Sequence, residues 1–455
     1  MGKNIIVIGG GPAGYVAAIR AAQSGAGVSL IEKSTLGGTC LNAGCIPTKA
    51  LLRIGEFYHM AKTEAVPGVK SSADLNWSSA VAHKNAVVKR LSDGISLLLQ
   101  RNNVQVISGN AVVLPELQVR VGEETLTADA IIIATGSINA EMTFAGSGLD
   151  GVIDSAAALD LEQPPKSIAI IGGGVVGIEF ATLFVYLGAD VTLVEMMPEI
   201  LPSMDMEIAG LLRGKLTADG VKILLNSRLD SVERAGESLI AHIKNDGRKD
   251  SIRAEKVLVA AGRRPNTSGL GLEALGLDLD CGAIVVDDNY QTNISGIYAV
   301  GDCNALIMLA HAAMEQGSSA VEHILGSKKS GDLTILPSCV YSSPEIASVG
   351  LTEQQLQEEG IPYDAGRFIL AGNGKALIEG GEGLIKILAG KDFGEVLGVH
   401  MIGPNVTEIV AEAALCMKME GTAEDIFRTI HPHPTVSESL REAAMAVRGS
   451  AIHGV

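Results

Sequence analysis

The sequence contains one glycine-rich pattern twice, and this duplication constrains the fold more than any other feature. In each copy a short aliphatic run leads into closely spaced glycines, then a helical pattern, then a second aliphatic run ending in glutamate. The copies occupy residues 4–32 and 167–195, and the same interval separates the first glycine from the glutamate in both. A strand, a glycine turn and a helix in this order are typical of a dinucleotide-binding βαβ unit. We therefore expect two dinucleotide sites.

Each element of the pattern has a physical role at such a site. The first glycine permits a tight turn, the second lets a pyrophosphate approach the backbone, and the third lets helix and strand pack closely. The helix N-terminus attracts phosphates, and the carboxylate that ends the second strand can hold ribose hydroxyls. The predicted cofactor-binding residues are Gly9, Gly11, Gly14 and Glu32 in the first copy, and Gly172, Gly174, Gly177 and Glu195 in the second.

Three further aliphatic runs end in small or acidic residues. Residues 130–136 and 257–262 are predicted strands that each close one nucleotide-binding half. The run at 297–302 is predicted to bring an acidic residue to the carboxyl ends of the parallel strands, where ligands bind. We add to the candidate cofactor-binding residues those that end these three runs, Thr135, Gly136, Gly262 and Asp302.

Two cysteines, Cys40 and Cys45, lie five positions apart in a glycine-rich stretch just past the first nucleotide pattern. We interpret the stretch as a cysteine-dense loop whose thiols open and close as a disulfide; the alternative is a pair of buried structural thiols. The other four of the six cysteines are scattered, which is not a disulfide scaffold. Because no secretory signal begins the chain, we expect a cytoplasmic protein, where a close cysteine pair is more often catalytic than structural.

The segment after about residue 336 changes character. Strand patterns around 348–350, 383–388 and 395–400 suggest an antiparallel sheet, and helical patterns follow around 407–419 and 438–447. We predict an α+β unit without a nucleotide pattern of its own.

The spacing of Thr435 and Glu438 fits a capping box, so a helix is expected to begin there. On that interpretation Glu438 is a cap and His433 a surface histidine. The functional alternative is an imidazole–carboxylate pair for proton transfer, since a dithiol site needs a base near neutral pH.

Size and charge narrow the possible functions. A chain of 455 residues requires several domains, and its net charge of −17 argues against nucleic-acid binding. The window 167–194 is apolar enough to suggest a membrane helix, but its glycines, Glu179 and Asp190 fit a strand–turn–helix–strand better. We predict no membrane association and no metal site.

Two dinucleotide sites and a cysteine pair together define an electron path, with a flavin in one site and a nicotinamide in the other. At this point the sequence resembles the flavin-dependent pyridine nucleotide-disulfide oxidoreductases along nearly its whole length. The motifs that carry the resemblance are G-G-T-C-L-N-x-G-C-I-P-x-K, the paired glycine patterns, A-V-G-D and H-P-T-x-S-E.

The resemblance implies an α/β fold with two Rossmann-like domains and a C-terminal α+β dimerisation domain. We expect a first FAD-binding part at 1–145, an NAD-binding domain at 146–263, a central FAD-binding part at 264–335 and the interface domain at 336–455. The resemblance also implies a homodimer in which the C-terminal domain of one subunit completes the site of the other.

The resemblance implies roles for individual residues. Cys40 would exchange with substrate and Cys45 would face the flavin, with His433 as acid/base and Glu438 as its orienting partner. Lys49 would lie near the flavin ring, paired with Glu179. The glycines, Glu32 and Asp302 of the FAD part would hold FAD, and the second glycine pattern with Glu195 would hold NAD.

The implied activity is oxidation of protein-bound dihydrolipoamide to lipoamide with reduction of NAD+. No arginine follows Glu195 before Arg213, so the 2′-phosphate of NADP lacks a cation and we expect NAD. The lipoyl group would come from a separate chain, of a 2-oxo acid dehydrogenase complex or the glycine cleavage system. The alternatives are a glutathione-type reductase, a mercuric-type reductase, or a non-catalytic dinucleotide-sensing protein on the same scaffold.

Overall fold

The computed structural model describes residues 2–245, 248–326 and 333–454. Residues 327–332, inside the predicted central part at 264–335, lie outside the described residues. The first 140 residues form the following elements: β1 Asn4–Ile8, α1 Pro12–Gln23, β2 Gly27–Glu32, α2 Gly38–Ala43, α3 Cys45–Lys62, α4 Trp77–Arg101, β3 Gln105–Ser108, β4 Ala111–Leu114, β5 Gln118–Val121, β6 Glu124–Thr127, β7 Ala130–Ile133 and β8 Ser137–Asn139.

The middle of the chain repeats the strand–helix–strand order and adds a long antiparallel hairpin sheet. Its elements are β9 Val152–Ile153, α5 Ser155–Leu159, β10 Ser167–Ile171, α6 Val175–Tyr186, β11 Asp190–Val194, α7 Met206–Ala218, β12 Lys222–Leu224, β13 Ser227–Ala235, β14 Ser238–Asn245, β15 Arg248–Ala254, β16 Lys256–Val259, β17 Arg263–Pro265, β18 Leu279–Asp280, β19 Ala283–Ile284, β20 Ile297–Ala299 and α8 Ala310–Ile324.

The last part of the chain alternates strands and helices. Its elements are β21 Ser338–Val340, β22 Glu345–Gly350, α9 Glu353–Glu359, β23 Tyr363–Ile369, α10 Gly374–Ile378, β24 Leu384–Gly390, β25 Val396–Gly403, α11 Val406–Lys418, α12 Ala423–Arg428 and α13 Glu438–Ala446.

Two five-stranded parallel sheets are built around the two glycine patterns. The first has the order β20-β7-β1-β2-β3 and the second has the order β12-β11-β10-β16-β9. In both, the strand before the glycines lies at the centre and the strand ending near glutamate lies beside it. Aliphatic side chains cover both faces of these central strands, as a buried parallel sheet requires, with Val7 and Ile170 fully buried. The predicted α/β fold class is confirmed.

The apolar window at 167–194 is the β10–α6–β11 unit. Helix α6 is buried on nearly all sides because it packs between its own sheet and α3. The residues that suggested a membrane segment therefore form a protein core. In the described part of the chain, no helix has both the length and the apolar character needed to cross a bilayer.

The C-terminal sheet has the order β21-β22-β25-β24-β23 and is antiparallel throughout. One face packs against α11 and α13 through side chains such as Ile387 and Met401. The other face packs against the second parallel unit, where Ile346 and Ile402 join its core. This arrangement fixes the second glycine pattern relative to the C-terminal unit.

Candidate active site

The cysteine pair lies on two short-linked helices. Cys40 is in the middle of α2, and Cys45 is the first residue of α3, with Gly44 between the helices. The prediction of a loop is wrong: Gly37, at φ 101°, makes the turn that starts α2, and the cysteines themselves are helical. Both thiols are free and partly buried. Placing Cys45 at a helix N-terminus favours its thiolate, because the helix dipole is positive there.

The two thiols differ in acidity. The Cys40 thiol donates a hydrogen bond to Cys45, and this bond together with the nearby Lys49 ammonium lowers the pKa of Cys45 to about 7, against the opposing effects of burial and Glu179. The same hydrogen bond and burial raise the pKa of Cys40. Cys45 is therefore the sulfur that ionises near neutral pH, while Cys40 keeps its proton.

A buried ion pair lies beside Cys45. The Nζ atom of Lys49, one turn further along α3, is 2.8 Å from both carboxylate oxygens of Glu179 on α6. The Tyr341 backbone N–H donates to the same carboxylate at 3.2 Å, and Lys49 lies 4.7 Å from the centre of the Tyr341 ring. The structure thus brings together three segments: α3 (the thiol helix), α6 after the second glycine pattern, and the start of the C-terminal unit.

The first glycines of the two patterns have nearly the same conformation. Gly9 has φ 106° and Gly172 has φ 112°, values that side chains rarely adopt. A Cβ at Gly9 would lie 2.3 Å from the Ala134 carbonyl oxygen, and one at Gly172 would lie 2.4 Å from that of Ala260. Each glycine therefore lets its loop pass directly over the neighbouring strand.

The other glycines divide into packed and open positions. A Cβ at Gly14 or Gly177 would come within 1.8 or 1.9 Å of the carbonyl oxygen of the first glycine in its own loop. A Cβ at Gly11 would have its nearest neighbour 3.7 Å away, and Gly174 has no described neighbour within 4 Å. The middle glycines thus leave their backbone open at a helix N-terminus, where a pyrophosphate fits.

The glutamates at the ends of β2 and just after β11 occupy equivalent places. Each carboxylate accepts one backbone N–H from its glycine loop and one from two residues further along its own strand end. The distances from Glu32 are 2.6 Å to Gly10 N and 2.8 Å to Ser34 N, and those from Glu195 are 2.5 Å to Gly173 N and 2.8 Å to Met197 N. Both carboxylates are held at the loop edge where a nucleotide ribose would lie.

The strand ends around Asp302 form a connected network. Asp302 lies in a 3-10 turn after β20 and accepts a hydrogen bond from the Ser137 hydroxyl at 2.5 Å. Gly136 and Gly262, both at positive φ, lead into β8 and β17, which pair with each other. The Thr135 hydroxyl is buried without a described hydrogen-bond partner, which fits a polar ligand at this edge.

His433 and Glu438 are paired as the functional interpretation required. Nδ1 of His433 lies 2.9 Å from one carboxylate oxygen of Glu438, and the Thr435 backbone N–H donates to the other at 2.8 Å. These two bonds hold the pKa of Glu438 below its ordinary value, although burial opposes them. The predicted helix start is confirmed, because α13 begins at Glu438, and the Glu438 carboxylate accepts the Thr435 N–H as in a capping box. The N-cap, however, is Ser437 rather than Thr435.

The His433 imidazole points outward. Its side chain is 79% exposed. Among the contacts of the described residues, none joins His433 to Cys40 or Cys45 within one chain. The structure of a single chain therefore assembles the thiols, the ion pair and both glycine loops, but not the histidine.

Three residues near the site were missed from the sequence. Ser137 and Arg263 connect Asp302 to the β8–β17 ribbon. Burial and the electrostatic interaction with Cys40 raise the pKa of Tyr15, on α1. The only sequence signal was adjacency: Tyr15 follows the third glycine, and Ser137 and Arg263 follow the two strand-end glycines. Contacts between segments that far apart in the chain cannot be derived from spacing.

The described residues fit two dinucleotides. Each glycine loop has an open middle glycine, a helix N-terminus and an anchored carboxylate, and the first has an unpartnered Thr135 hydroxyl beside it. Cys45 and Lys49 lie on α3, which packs against α4 of the first unit and α6 of the second. The arrangement can pass an electron pair between a dithiol and a nucleotide through a redox ring placed beside Cys45.

Comparison with known families and proteins gives a consistent result. The family described as Pyridine nucleotide-disulphide oxidoreductase matches residues 3–317, and its dimerisation domain matches residues 336–444. The chain is 42% identical over 458 residues to a dihydrolipoyl dehydrogenase of Bacillus subtilis, covering 99% of this chain and 100% of that protein. It is 41% identical over 463 residues to the mitochondrial dihydrolipoyl dehydrogenase 2 of Arabidopsis thaliana, covering 99% and 91% respectively.

Solved structures show the same likeness. LpdA from Mycobacterium tuberculosis superimposes with a TM-score of 0.90 at 28% identity, covering 97% of this chain and 99% of that one. The Cu(II) complex of RclA, an HOCl-induced flavoprotein disulfide reductase from Escherichia coli, gives a TM-score of 0.88 at 27% identity, covering 98% and 99%.

Proposed function

The chain belongs to the pyridine nucleotide-disulphide oxidoreductase family, and from this premise we propose that it oxidises protein-bound dihydrolipoamide to lipoamide and reduces NAD+ to NADH. It is an NAD-dependent flavoprotein oxidoreductase that acts on sulfur groups and uses FAD and NAD. The observation that carries the proposal is the unequal thiol pair: Cys45 is acidic beside Lys49, and Cys40 remains protonated.

The thiol chemistry follows from this asymmetry. With the pair oxidised, His433 removes a proton from one substrate thiol, and the resulting thiolate attacks the Cys40 sulfur. The Cys40–Cys45 bond breaks, and Cys45 leaves as a thiolate, which its low pKa and Lys49 stabilise. The second substrate thiol then attacks the mixed disulfide, so that lipoamide leaves and Cys40 takes up a proton.

When bound, FAD would supply the two-electron chemistry that links the dithiol to NAD+. Gly9, Gly11, Gly14, Glu32 and Asp302 would hold it, with Thr135 and Gly136 at the adjacent strand end. Lys49 and Glu179 fix the orientation of the thiol helix relative to the nicotinamide half.

NAD rather than NADP fits the second glycine loop. Gly172, Gly174 and Gly177 would hold the pyrophosphate, with Gly262 at the strand end beside them. The buried carboxylate of Glu195 would repel a 2′-phosphate. Arg213 offers no compensation, because its Nε donates to Glu199 at 2.8 Å.

A homodimer would complete the site. The match of residues 336–444 to a dimerisation domain supports a dimer. The strong exposure of His433, and its lack of a described contact with the cysteines of its own chain, support a site in which the partner subunit contributes the histidine. Glu438 orients the ring through Nδ1, which leaves Nε2 to move the proton.

We also propose that the chain divides into four parts: FAD-binding at 1–145, NAD-binding at 146–263, central FAD-binding at 264–335 and interface at 336–455. Strand β20, from the part at 264–335, completes the same sheet as β1, which supports assigning that part to FAD. The lipoyl substrate would be carried by a separate protein of a 2-oxo acid dehydrogenase complex or the glycine cleavage system, in the cytoplasm.

The test is anaerobic reduction of the purified holoenzyme with dihydrolipoamide, compared with glutathione. With NAD+ present, we expect NADH formation with dihydrolipoamide and none with glutathione. Reduction of NAD+ by glutathione at a similar rate would favour the glutathione-type alternative, and rapid oxidation of NADH or NADPH by mercuric ion would favour the mercuric-type alternative. If the protein kept its biological function with serine at both Cys40 and Cys45, the hypothesis of a non-catalytic, dinucleotide-sensing protein would be favoured.

A further inference from the structure

Each nitrogen of the Arg263 guanidinium donates a hydrogen bond to strand β8. Its Nε donates to the Ser137 hydroxyl at 2.7 Å, Nη2 donates to the Ser137 carbonyl at 2.7 Å, and Nη1 donates to the Asn139 side-chain oxygen at 2.7 Å. Because the guanidinium is a rigid planar fork, three hydrogen bonds to one strand hold the arginine in a single orientation. Arg263 therefore locks the β8–β17 ribbon that joins the two parallel units.

One of these bonds continues to the flavin half. The Ser137 hydroxyl accepts from Arg263 and donates to Asp302 at 2.5 Å, and the Ser137 side chain is buried. A hydroxyl that accepts from a cation is a stronger donor, since hydrogen bonds in a chain polarise one another. Arg263 thus determines both the position of the Ser137 hydroxyl and the direction in which its proton points.

The charge of Arg263 also acts on the redox centre. Burial lowers the pKa of Arg263, whereas the negative charges of Asp302, Cys45 and Asp154 raise it. An attraction that favours the cation favours the anions equally. Lys49, on the same helix, lowers the pKa of Cys45, and Glu179 raises it. The attraction between Cys45 and Arg263 acts in the same direction as that of Lys49.

We propose that Arg263 is a positioning residue of the flavin–thiol site: through Ser137 it holds Asp302 in place for the flavin. A secondary effect of the same cation is to favour the Cys45 thiolate. The inference rests on the proposed function, because it places FAD beside Asp302 and Cys45. Arg263 has two effects, one through the Ser137 hydroxyl and one through its charge. Different substitutions remove them.

The charge effect is measured in a Cys40→Ser holoenzyme background, where Cys45 is the only thiol of the pair. The pH midpoint of the long-wavelength flavin–thiolate absorbance band reports its ionisation. Arg263→Gln is expected to raise this midpoint by about one pH unit, and Arg263→Lys by clearly less. Arg264→Gln is the matched control, because Arg264 is the exposed neighbour that pairs with Glu141 at 3.5 Å.

The hydroxyl effect is measured as the rate at which FAD leaves the holoenzyme during dialysis. Ser137→Ala and Arg263→Gln are both expected to speed release by about tenfold, because Asp302 loses its buried donor or that donor loses its orientation. Ser137→Ala should leave the band midpoint unchanged, which keeps the two effects separable even if Arg263→Gln does not fold.

The outcomes distinguish the inference from its premise. No band at any pH in a Cys40→Ser enzyme that carries FAD contradicts the proposed function. A normal band whose midpoint is the same with Gln as with Arg at position 263 overturns the charge role. FAD release from Ser137→Ala at the unaltered rate overturns the hydroxyl relay. A shift of equal size in the Arg264→Gln control overturns the assignment to Arg263.

Discussion

Lys49 and Glu179 form an ion pair that joins α3 to α6 of the second parallel unit, with Nζ 2.8 Å from both carboxylate oxygens. The Glu179 side chain is only 4% exposed and that of Lys49 is 30% exposed. Removing one partner of a buried ion pair leaves the other charge uncompensated, which costs about 3–5 kcal/mol in typical cases. We therefore expect substitutions in this pair to change both the pKa of Cys45 and the rate at which NADH reduces the flavin.

Substitutions in this pair should move the Cys45 pKa in opposite directions. The Glu179 charge raises that pKa and the Lys49 charge lowers it. Glu179→Gln should therefore bring the midpoint below about 7, and Lys49→Met should bring it above that value. Titration of the flavin–thiolate band measures both. Glu56→Gln, which removes an exposed ion pair with Arg53 on the same helix, should leave the midpoint in place. Shifts of the same sign in both variants would contradict this electrostatic account.

Glu179→Gln should also slow the reduction of bound flavin by NADH by about tenfold or more, because the nicotinamide unit loses its anchor to the thiol helix. Stopped-flow absorbance of the holoenzyme measures the rate, and FAD content is the control. An unaltered rate would show that the ion pair has no part in aligning the two halves.

His433→Gln should lower the oxidation of dihydrolipoamide by about 100-fold or more, since it removes the proton carrier. Flavin reduction by NADH should be preserved, because that half-reaction does not use the histidine. Glu438→Gln should give a smaller loss, since the ring keeps one hydrogen-bond partner. Equal losses in both half-reactions would instead indicate damage to the fold.

Mixed dimers test whether the histidine comes from the partner subunit. A Cys45→Ser subunit paired with a His433→Gln subunit has one site with both residues intact if the site is shared between subunits. Such heterodimers should recover about half of the unaltered activity, whereas either homodimer should be nearly inactive. No recovery in isolated heterodimers would place the histidine and the cysteines of one chain in the same site.

A buried charge cluster should control how the C-terminal sheet is held to the second parallel unit. Lys386 Nζ, on β24, lies 2.9 Å from Asp205, and both side chains are essentially buried. Lys386→Met should destabilise the fold by about 3–5 kcal/mol, because the buried Asp205 carboxylate loses the cation that balances its charge. Thermal unfolding of the holoenzyme measures the change, with exposed Lys89→Met as the control.

The Lys386–Asp205 pair should stabilise the fold less as the pH falls. Burial alone would raise the pKa of Asp205, but the bond to Lys386 holds it below its ordinary value. The pair therefore stabilises the fold above about pH 4 and loses this effect as the pH falls through the depressed pKa. The stability difference between the unaltered enzyme and Lys386→Met should shrink at low pH. A difference that is constant from pH 7 to pH 3 would contradict this.

Nucleotide preference should depend on the end of β11. Because Glu195 is buried on two backbone N–H groups, the enzyme should prefer NADH to NADPH by about 100-fold or more. Met196 is 70% exposed at this strand end, so a Glu195→Ala, Met196→Arg double variant should narrow that preference. Steady-state kinetics with both nucleotides measure it. Rapid reduction of the unaltered enzyme by NADPH would contradict the assignment.

The parallel units were predictable because their information is local. Aliphatic runs, glycines and glutamates at fixed spacing specify β1–α1–β2 and β10–α6–β11 to within a residue or two. The helical state of Cys40 was not predictable, since a stretch rich in glycine has little helix propensity and α2 depends on packing against α3 and α4. Likewise the two three-stranded antiparallel sheets, β4–β5–β6 and β13–β14–β15, lack strong local signals and follow from tertiary contacts.

The contacts of the site could be predicted from the sequence only where they are local. Lys49 and Glu179, 130 positions apart in the chain, could be paired only through a resemblance, and the Arg263–Ser137–Asp302 chain had no signal beyond adjacency to glycines. Long-range polar contacts depend on how sheets and helices are placed, which spacing along the chain does not encode.

The most direct test of the account is an anaerobic titration of the oxidised holoenzyme with dihydrolipoamide at pH 8. The account predicts that one equivalent produces a long-wavelength absorbance band from the Cys45 thiolate beside the flavin, and that the band disappears below about pH 7 as Cys45 is protonated. An enzyme that contains FAD and is reduced by dihydrolipoamide without developing this band would contradict it.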